Sequence, residues 1–270
     1  VSREGKLSRQ KYCKGFPKTA LEHVEDIPKK RSGTKVIFHP DRQVFGESVF
    51  RPKRIYELAK SKAYLYSGVK IVWSCDNELI VAEGKETPQT EEIFFANGIR
   101  DFLNSTIKDE SAIIGKDYFY GESKLSDGKG RAEWVIFWRE DVEGSSYSYC
   151  NTIPTPLGGT HENGFRMAVT KSIKEYAERA GNKKLDKLTT EDIFAGASFV
   201  LSFFYPEPQF QGQTKEKLVN QGVSRIVDNA VKDRFDNLLA GSSQIAEGVL
   251  NLVQFRMEER LNRKLKKNAE

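Results

Sequence analysis

Apolar and polar positions alternate in short blocks along most of the chain, and the period of each block predicts its element. Behind Pro52, residues Ile55, Leu58, Ala59 and Ala63 recur at helical spacing, and proline is tolerated in a first turn, so a helix is expected there. The runs "VKIVWSC" and "ELIVAEG" predict strands, and a second helix is expected from Glu91 to Leu103. Three strand candidates follow: "KDYFYGES", "AEWVIFWRE" and "SSYSYCNTI". The middle one is apolar almost without alternation, which requires cover on both faces. After "PTPLGGTH" the period changes, with Phe165, Val169, Ile173, Tyr176 and Ala180 forming one helical stripe. "LTTEDIFAG" starts another helix with Thr189 or Thr190 as its cap, and "SFVLSFF" returns to a strand. Beyond Gly222 the pattern is helical only, through Val223, Ile226, Val227, Ala230 and Phe235, then Val249, Val253, Met257, Leu261 and Leu265.

The first residues read differently. "VSREGKLSRQKYCKGF" places a Glu-Gly-Lys turn between polar, alternating arms, a hairpin signal, and "TKVIFHP" predicts a brief strand stopped by Pro40. These look like edge strands of a sheet whose remainder is missing, so the chain is expected to be a piece of a longer polypeptide. The expected division is a sheet remnant over residues 1–44, an α+β domain over 45–221 and a helical tail over 222–270.

Composition narrows the function classes. Hydrophobic residues make up 38% and charged residues 30% of 270, and no apolar run approaches the ~18 residues that cross a bilayer. Neither a membrane span nor a signal peptide is expected. The formal net charge of +5 is compatible with touching a polyanion but is far from the density of a dedicated nucleic-acid tail. Cys13, Cys75 and Cys150 are widely spaced and lack histidines at ligand spacing, against both a disulfide framework and a zinc site. A reducing, cytoplasmic setting and no metal site follow as expectations.

Three stretches carry candidate chemistry. "SDGKGRAEW", residues 126–134, has the outline of an Asp-x-Gly-x-Gly nucleotide signature, but its place between two strands makes it a hairpin turn. "GGTHENGFR", residues 158–166, sets two glycines and a threonine before a helix, where backbone donors and the helix dipole can hold an anion. Thr160 capping the helix and the glycines making the turn explain it equally well, with His161 a structural hydrogen-bonder. "QGQTKEKL" brings an amide and an ammonium to a loop after a strand, which suits a phosphate contact, since lysine acts as a compact point charge. No Gly-rich cradle precedes it, and no Ser-His-Asp set, paired-carboxylate cluster or metal box is present.

Taken together, "GTKVIFHPD", "SYCNTIPTPLGGTHENGFR", "PEPQFQGQTKEKL" and "RIVDNAVKDRFDNLLA" resemble the B subunits of bacterial type IIA DNA topoisomerases, in the right order over nearly the whole chain. "NTIPTPLGGTHENG" and "EERLNRK" are closer to topoisomerase IV than to gyrase, which remains the nearest alternative. The resemblance implies an ATPase domain of the gyrase, heat-shock-protein, histidine-kinase and mismatch-repair (GHKL) type followed by a ribosomal-protein-S5-like α+β transducer domain. Residues 1–44 would be the last strands of the ATPase domain, 45–221 the transducer, and 222–270 a helical linker toward the DNA gate. It further implies that Lys215 and Gln213 touch the ATP γ-phosphate, that Thr34 closes the nucleotide pocket, and that Arg3 lies at its outer edge. Arg166 matches an arginine lining the cavity for the transported duplex. The implied partners are the topoisomerase IV A subunit, a second B subunit in the ATP-bound state and double-stranded DNA, with ATP and Mg2+ as substrate and cofactor. A self-contained S5-like nucleic-acid-binding module would explain the basic balance but not Gln213 and Lys215 after a strand. A mismatch-repair or chaperone relative should lack the "GGTH" block.

The family's general base, magnesium-binding box, true Asp-x-Gly-x-Gly motif and glycine-rich lid all lie upstream of the matched region. This chain by itself is therefore expected to hold one wall of an ATPase site. Isothermal titration with a non-hydrolysable ATP analogue should show no tight binding, and micromolar saturable binding would overturn the reading of residues 1–44 as a remnant.

Overall fold

A computed structural model describes residues 1–107, 113–125, 128–140 and 144–267. They fall into two units, Val1–Arg51 and Pro52–Glu270. In the first, β1 (Ser2–Arg3) and β2 (Lys6–Arg9) form the expected hairpin. Its turn residues Glu4 and Gly5 both have positive φ, 52° and 81°, as a two-residue hairpin loop of matching twist requires. A second small hairpin joins β3 (Tyr12–Cys13) to β4 (Phe16–Pro17), and β5 (Glu22–Asp26) pairs antiparallel with β2. The short helix α1 (Arg42–Phe45) is capped by Asp41, whose Oδ1 accepts from the Gln43 N–H at 2.9 Å.

"TKVIFHP" is not a strand. Gly33 alone bridges to Ser2, and Val36, Ile37 and Phe38 are 71–82% exposed. Strand-forming side chains need a paired neighbour, and among the described residues none runs beside them.

The second unit is built on a mixed sheet. In chain order it contains α2 (Pro52–Leu65), β6 (Lys70–Ser74), α3 (Asn77–Glu83), β7 (Thr90–Phe94) and α4 (Ile99–Ser105). Then come β8 (Phe119–Lys124), β9 (Arg131–Trp138), β10 (Ser146–Cys150), β11 (Ile153–Pro154), α5 (Thr160–Arg179) and α6 (Thr190–Phe194). Last are β12 (Ala197–Phe204), α7 (Val223–Gly241) and α8 (Ser243–Lys267). The five-stranded sheet runs β11-β10-β12-β9-β8, with only β10 and β12 parallel.

As the unbroken apolar run required, β9 is covered on both faces. Trp134, Ile136 and Trp138 point into one core with Phe165, Val169, Val227, Phe235 and Val253 of the α5, α7 and α8 layer. Val135 and Phe137 point the other way, onto Tyr64, Leu65, Ile99 and Leu103 of α2 and α4. A satellite core joins Ala63 to Trp73 and Ile93 of the β6–β7 ribbon.

Two expectations are corrected here. "ELIVAEG" is the helix α3: the Asp76 carbonyl accepts from the Leu79 and Ile80 N–H groups at its start, and Gly84, left-handed at φ 65°, closes its end by donating to the Ile80 and Val81 carbonyls. The termini outweigh the strand preference of Ile80 and Val81. The helix expected over Glu91–Leu103 is instead strand β7, paired with β6, and then the shorter α4, which starts after Gly98. The β8–β9 connection is a hairpin, with Leu125 N–H on Gly130 O and Gly128 N–H on Leu125 O, both at 2.9 Å; Ser126 and Asp127 lie outside the described residues. No helix among the described residues is long and apolar enough to cross a membrane.

Helices α7 and α8, expected as a tail, share the main core rather than leaving it. The α5–α7 crossing is close because Gly164 has no Cβ; one placed there would sit 2.9 Å from Val227 Cβ and would run into the Ser224 carbonyl. Helix α8 is clamped at its far end, where Arg260 donates to both oxygens of buried Asp192 at 2.7 Å and to the Lys187 carbonyl at 2.9 Å. Asp192 also completes the capping box with Thr189.

Burial alone would raise the Asp192 carboxyl, but hydrogen bonds from Arg260 and Thr189 outweigh it and hold the group below its ordinary value. Its contribution to stability is therefore complete above the unfolded value, about pH 4, and is lost as pH falls through the lower folded value. Arg260→Met should cost about 2–3 kcal/mol at pH 7, because it leaves a buried carboxylate unpaired. In the variant that orphaned group favours protonation, so its deficit should shrink on acidification. Urea melts of both proteins at pH 7 and pH 3.5 check this, and a deficit below about 0.5 kcal/mol at pH 7 would make the pair an ordinary surface ion pair.

Candidate nucleotide-contacting loop and its seat

The loop that bears Gln213 and Lys215 leaves the sheet at the end of β12 and is pinned at once. Tyr205 N–H donates to Asn151 Oδ1 at 2.9 Å, and Asn151 Nδ2 donates back to Tyr205 O at 2.7 Å. Asn151 and Thr152, with φ of 49° and 64°, form the two-residue turn between β10 and β11. The loop then doubles on itself. Gln211 N–H meets Lys217 O at 2.8 Å, Val219 N–H meets Gln209 O at 2.9 Å, and Phe210 lies across from Leu218. Asn220 closes the base, its Oδ1 accepting from Gln209 N–H at 2.6 Å and its Nδ2 donating to Glu207 O at 2.9 Å.

At the tip, Gln213, Thr214 and Lys215 are all exposed. Gly212 and Lys215 take positive φ, 71° and 58°. For lysine the left-handed region costs about 1–2 kcal/mol. Its ammonium stands 6.0 Å from the Phe210 ring centroid and has no hydrogen bond or ion pair among the described residues. Thr214 Oγ1 donates to Glu216 Oε2 at 3.2 Å, which holds that carboxylate on the side of the turn.

The return arm rests on the segment just before α5. Leu157 N–H donates to Glu216 O at 3.1 Å, Leu218 N–H to Gly158 O at 3.2 Å, and Thr160 N–H to Leu218 O at 3.0 Å. Gly159 and Leu218 form a parallel rung. Gly158 does make a turn, donating to Thr155 O at 2.8 Å, but the N-cap of α5 is Gly159 and no side chain caps it. Thr160 therefore neither caps the helix nor offers its own N–H to an anion. Its amide is engaged by the loop.

Below this seat lies a buried polar chain that sequence reasoning missed. His161 is fully buried, with Nε2 at 3.1 Å from Thr155 Oγ1, and Thr155 Oγ1 donates to Ser148 O at 2.9 Å. Ser148 Oγ donates to Glu162 Oε2 at 2.8 Å, and Arg166 Nε donates to Glu162 Oε1 at 2.8 Å. Burial pushes His161 down to about 4, so it is neutral at pH 7 and serves as the structural hydrogen-bonder expected. The Arg166 guanidinium lies 4.5 Å over the Phe194 ring and 5.0 Å over Phe199, with 28% of its side chain exposed.

Arg3 and Thr34 belong to the first unit. They flank the bridge in which Ser2 and Gly33 exchange backbone hydrogen bonds of 2.8 and 3.0 Å. Both are exposed, and Arg3 Nε stands 3.3 Å from Glu4 Oε1. Gln213 and Lys215 are thus brought together on one tip, and Arg3 and Thr34 on one bridge. No group of three or more His, Cys, Asp or Glu residues among those described could hold a metal ion.

The family model for DNA gyrase B matches residues 98–269. The chain is 45% identical over 269 residues to the DNA topoisomerase 4 B subunit of Rickettsia bellii, covering 99% of the chain and 40% of that protein. It is 43% identical over 267 residues to the protein of the same name from Bartonella bacilliformis, covering 98% of the chain and 38% of that protein. It thus spans about two fifths of the length of these curated relatives. Among solved structures, the topoisomerase IV ATP binding domain of Francisella tularensis aligns over 96% of this chain and 68% of its own, with a TM-score of 0.77 and 29% identity. The ATPase domain of Thermus thermophilus gyrase B aligns over 97% and 69%, with a TM-score of 0.76 and 28% identity. With the family model covering well over half of the sequence and the α+β architecture shared with these structures, the chain belongs to the DNA gyrase B family, the B subunits of bacterial type IIA DNA topoisomerases.

Proposed function

We propose that this chain is the transducer-bearing part of a topoisomerase IV B subunit and that its Gln213 and Lys215 read the γ-phosphate of ATP. The observation that carries this reading is the loop tip. An amide, Gln213, and an ammonium, Lys215, share one exposed turn, and the lysine is held in a costly left-handed conformation with no hydrogen bond or ion pair on its ammonium among the described residues. A tip of this kind is pre-organised to meet an anion delivered from outside. Residues 1–44 would be the last strands of the ATPase domain, with Arg3 and Thr34 on the nucleotide side; 45–221 the transducer; and 222–270 the helices leading toward the DNA gate.

In the whole cytoplasmic enzyme, assembled with its A subunit, ATP would draw the loop onto the γ-phosphate and bring two B subunits together over a captured duplex. Hydrolysis would then be coupled to passing that duplex through a cleaved one. Lys215 would stabilise charge on the transferring phosphoryl group, which is the electrostatic part of such catalysis. Gln213 would orient the same oxygens by hydrogen bonding. The magnesium ligands and general base would come from elsewhere in the full-length protein.

Lys215→Ala in the full-length protein should lower ATP turnover by orders of magnitude while nucleotide binding survives. A fall of less than tenfold, about 1.4 kcal/mol, would remove Lys215 from the role. Lys215→Gly should lose turnover equally yet melt no lower than wild type, because glycine relieves the left-handed strain. A clear drop in melting temperature would instead make the lysine a structural residue.

Arg166 is proposed to face the transported duplex through the exposed part of its side chain. Arg166→Gln should weaken DNA-stimulated ATPase and strand passage while basal ATPase persists. Glu162→Gln leaves the arginine charge in place and should preserve DNA stimulation. Equal losses in the two variants, assayed with and without duplex, would assign the effect to the Glu162–Arg166 pair and not to DNA.

A further inference from the structure

We infer that Gly159 is a positioning residue for Lys215: the bare backbone of the "GGTH" block is the seat that fixes how far the Gly212–Glu216 tip reaches. This rests on the reading of Lys215 as the phosphate contact. The outgoing arm is gripped at Tyr205 by Asn151 and rests Phe210 against the main core, and its backbone toward the tip is held by its own return arm and by Asn220. The return arm is held by the three backbone bonds to Leu157, Gly158 and Thr160, and one of these fixes Glu216, the residue next to Lys215. Leu218, which sits on the rung, is fully buried, whereas the tip beyond it is exposed. Whatever sets the distance between the two backbones at this rung therefore sets the position of the ammonium.

That distance is set by the absence of a side chain. Gly159 has φ 139°, and a Cβ built on it would lie 2.5 Å from Leu218 N and 2.9 Å from Leu218 Cα, with the Leu218 carbonyl closer still. These are backbone atoms, so the clash cannot be relieved by a rotamer. The return arm must lift. The seat is also continuous with the helical layer, because Ser224 Oγ donates to Thr160 O at 2.8 Å and Gly164 packs directly on Ser224. A load on the tip would reach the α5–α7 crossing through Leu218 and Thr160.

The test is a double-mutant cycle on ATP turnover in the full-length protein reconstituted with its A subunit, using wild type, Gly159→Ala, Lys215→Ala and the double variant. Displacing a catalytic group by about 1 Å can cost about 100-fold. Gly159→Ala should accordingly lower kcat by about 10- to 100-fold, with KM for ATP moving less than about threefold. Because the glycine acts through the lysine, the double variant should be no worse than Lys215→Ala within about threefold. Gly181→Ala also puts a side chain at positive φ, 74° against 139° at Gly159, but where nothing lies within 4 Å, and should leave kcat unchanged.

Multiplicative losses in the double variant would overturn the inference, as would a Gly159→Ala kcat near that of wild type beside a large Lys215→Ala loss. A Lys215→Ala kcat within tenfold of wild type would overturn the phosphate reading itself and the inference with it. If Gly159→Ala does not fold, as judged by its thermal melt, Leu157→Pro replaces it. That change deletes the N–H to Glu216 O beneath an exposed side chain, and the same cycle and the same outcomes apply.

Discussion

The second unit depends on the pairing of two strands that have no solvent side. β12 and β9 run antiparallel from Ala197 opposite Trp138 to Phe204 opposite Arg131, and nearly every residue of both is buried. A sheet with such a centre must be sandwiched, so helices are required on each face. The α5, α7 and α8 layer covers one face and α2 with α4 the other. The last two helices, α7 and α8, are recruited to this purpose through Val223, Val227, Val231, Phe235, Val249 and Val253.

The same strand delivers the loop proposed to meet the γ-phosphate. Because β12 is locked along its length, its end at Phe204 is a fixed point, and Asn151 carries that fixity one residue further by gripping Tyr205 from the neighbouring turn. The loop base is therefore as rigid as the sheet. The tip is not buttressed from the solvent side, so its geometry comes from its own backbone and from the seat beneath the return arm. Rigid support with an exposed, strained end is the arrangement expected of a group that waits for a ligand.

Much of this was legible in the sequence where local signals and long-range packing agree. The α5 stripe of Phe165, Val169 and Ile173, a threonine cap at 189 or 190, of which Thr189 is the one used, and the two-sided burial of β9 could all be read from spacing and chemistry. Errors came where a non-local partner decides. The residues of β7 form a strand only because β6 lies beside them, and "TKVIFHP" lacks such a neighbour. Conversely, α3 is closed by Gly84 against the preference of its β-branched residues, a local signal that the apolar run masked. At the site, the closeness of Gln213 and Lys215 was visible directly, and the role proposed for them rests on family resemblance. The rung between Gly159 and Leu218 was invisible, because nothing in either segment announces the other. The Asn151 turn carried a usable cue, an Asn-Thr pair between the alternating segment "SYSYC" and "IP".

The first unit has a different material character. Ile27 is the only buried residue among those described in Val1–Arg51, while Val36, Ile37, Phe38, Val44, Phe45, Val49 and Phe50 are exposed. A segment of this size with one interior side chain gains little from the hydrophobic effect, and its hairpins persist mainly through backbone pairing. In a preparation of the chain, solubility and shelf life would thus be governed by this uncovered greasy surface and not by the well-packed sheet. The sequence beyond Arg51 is the durable part of the molecule, and the fifty-one residues before it are the sticky part.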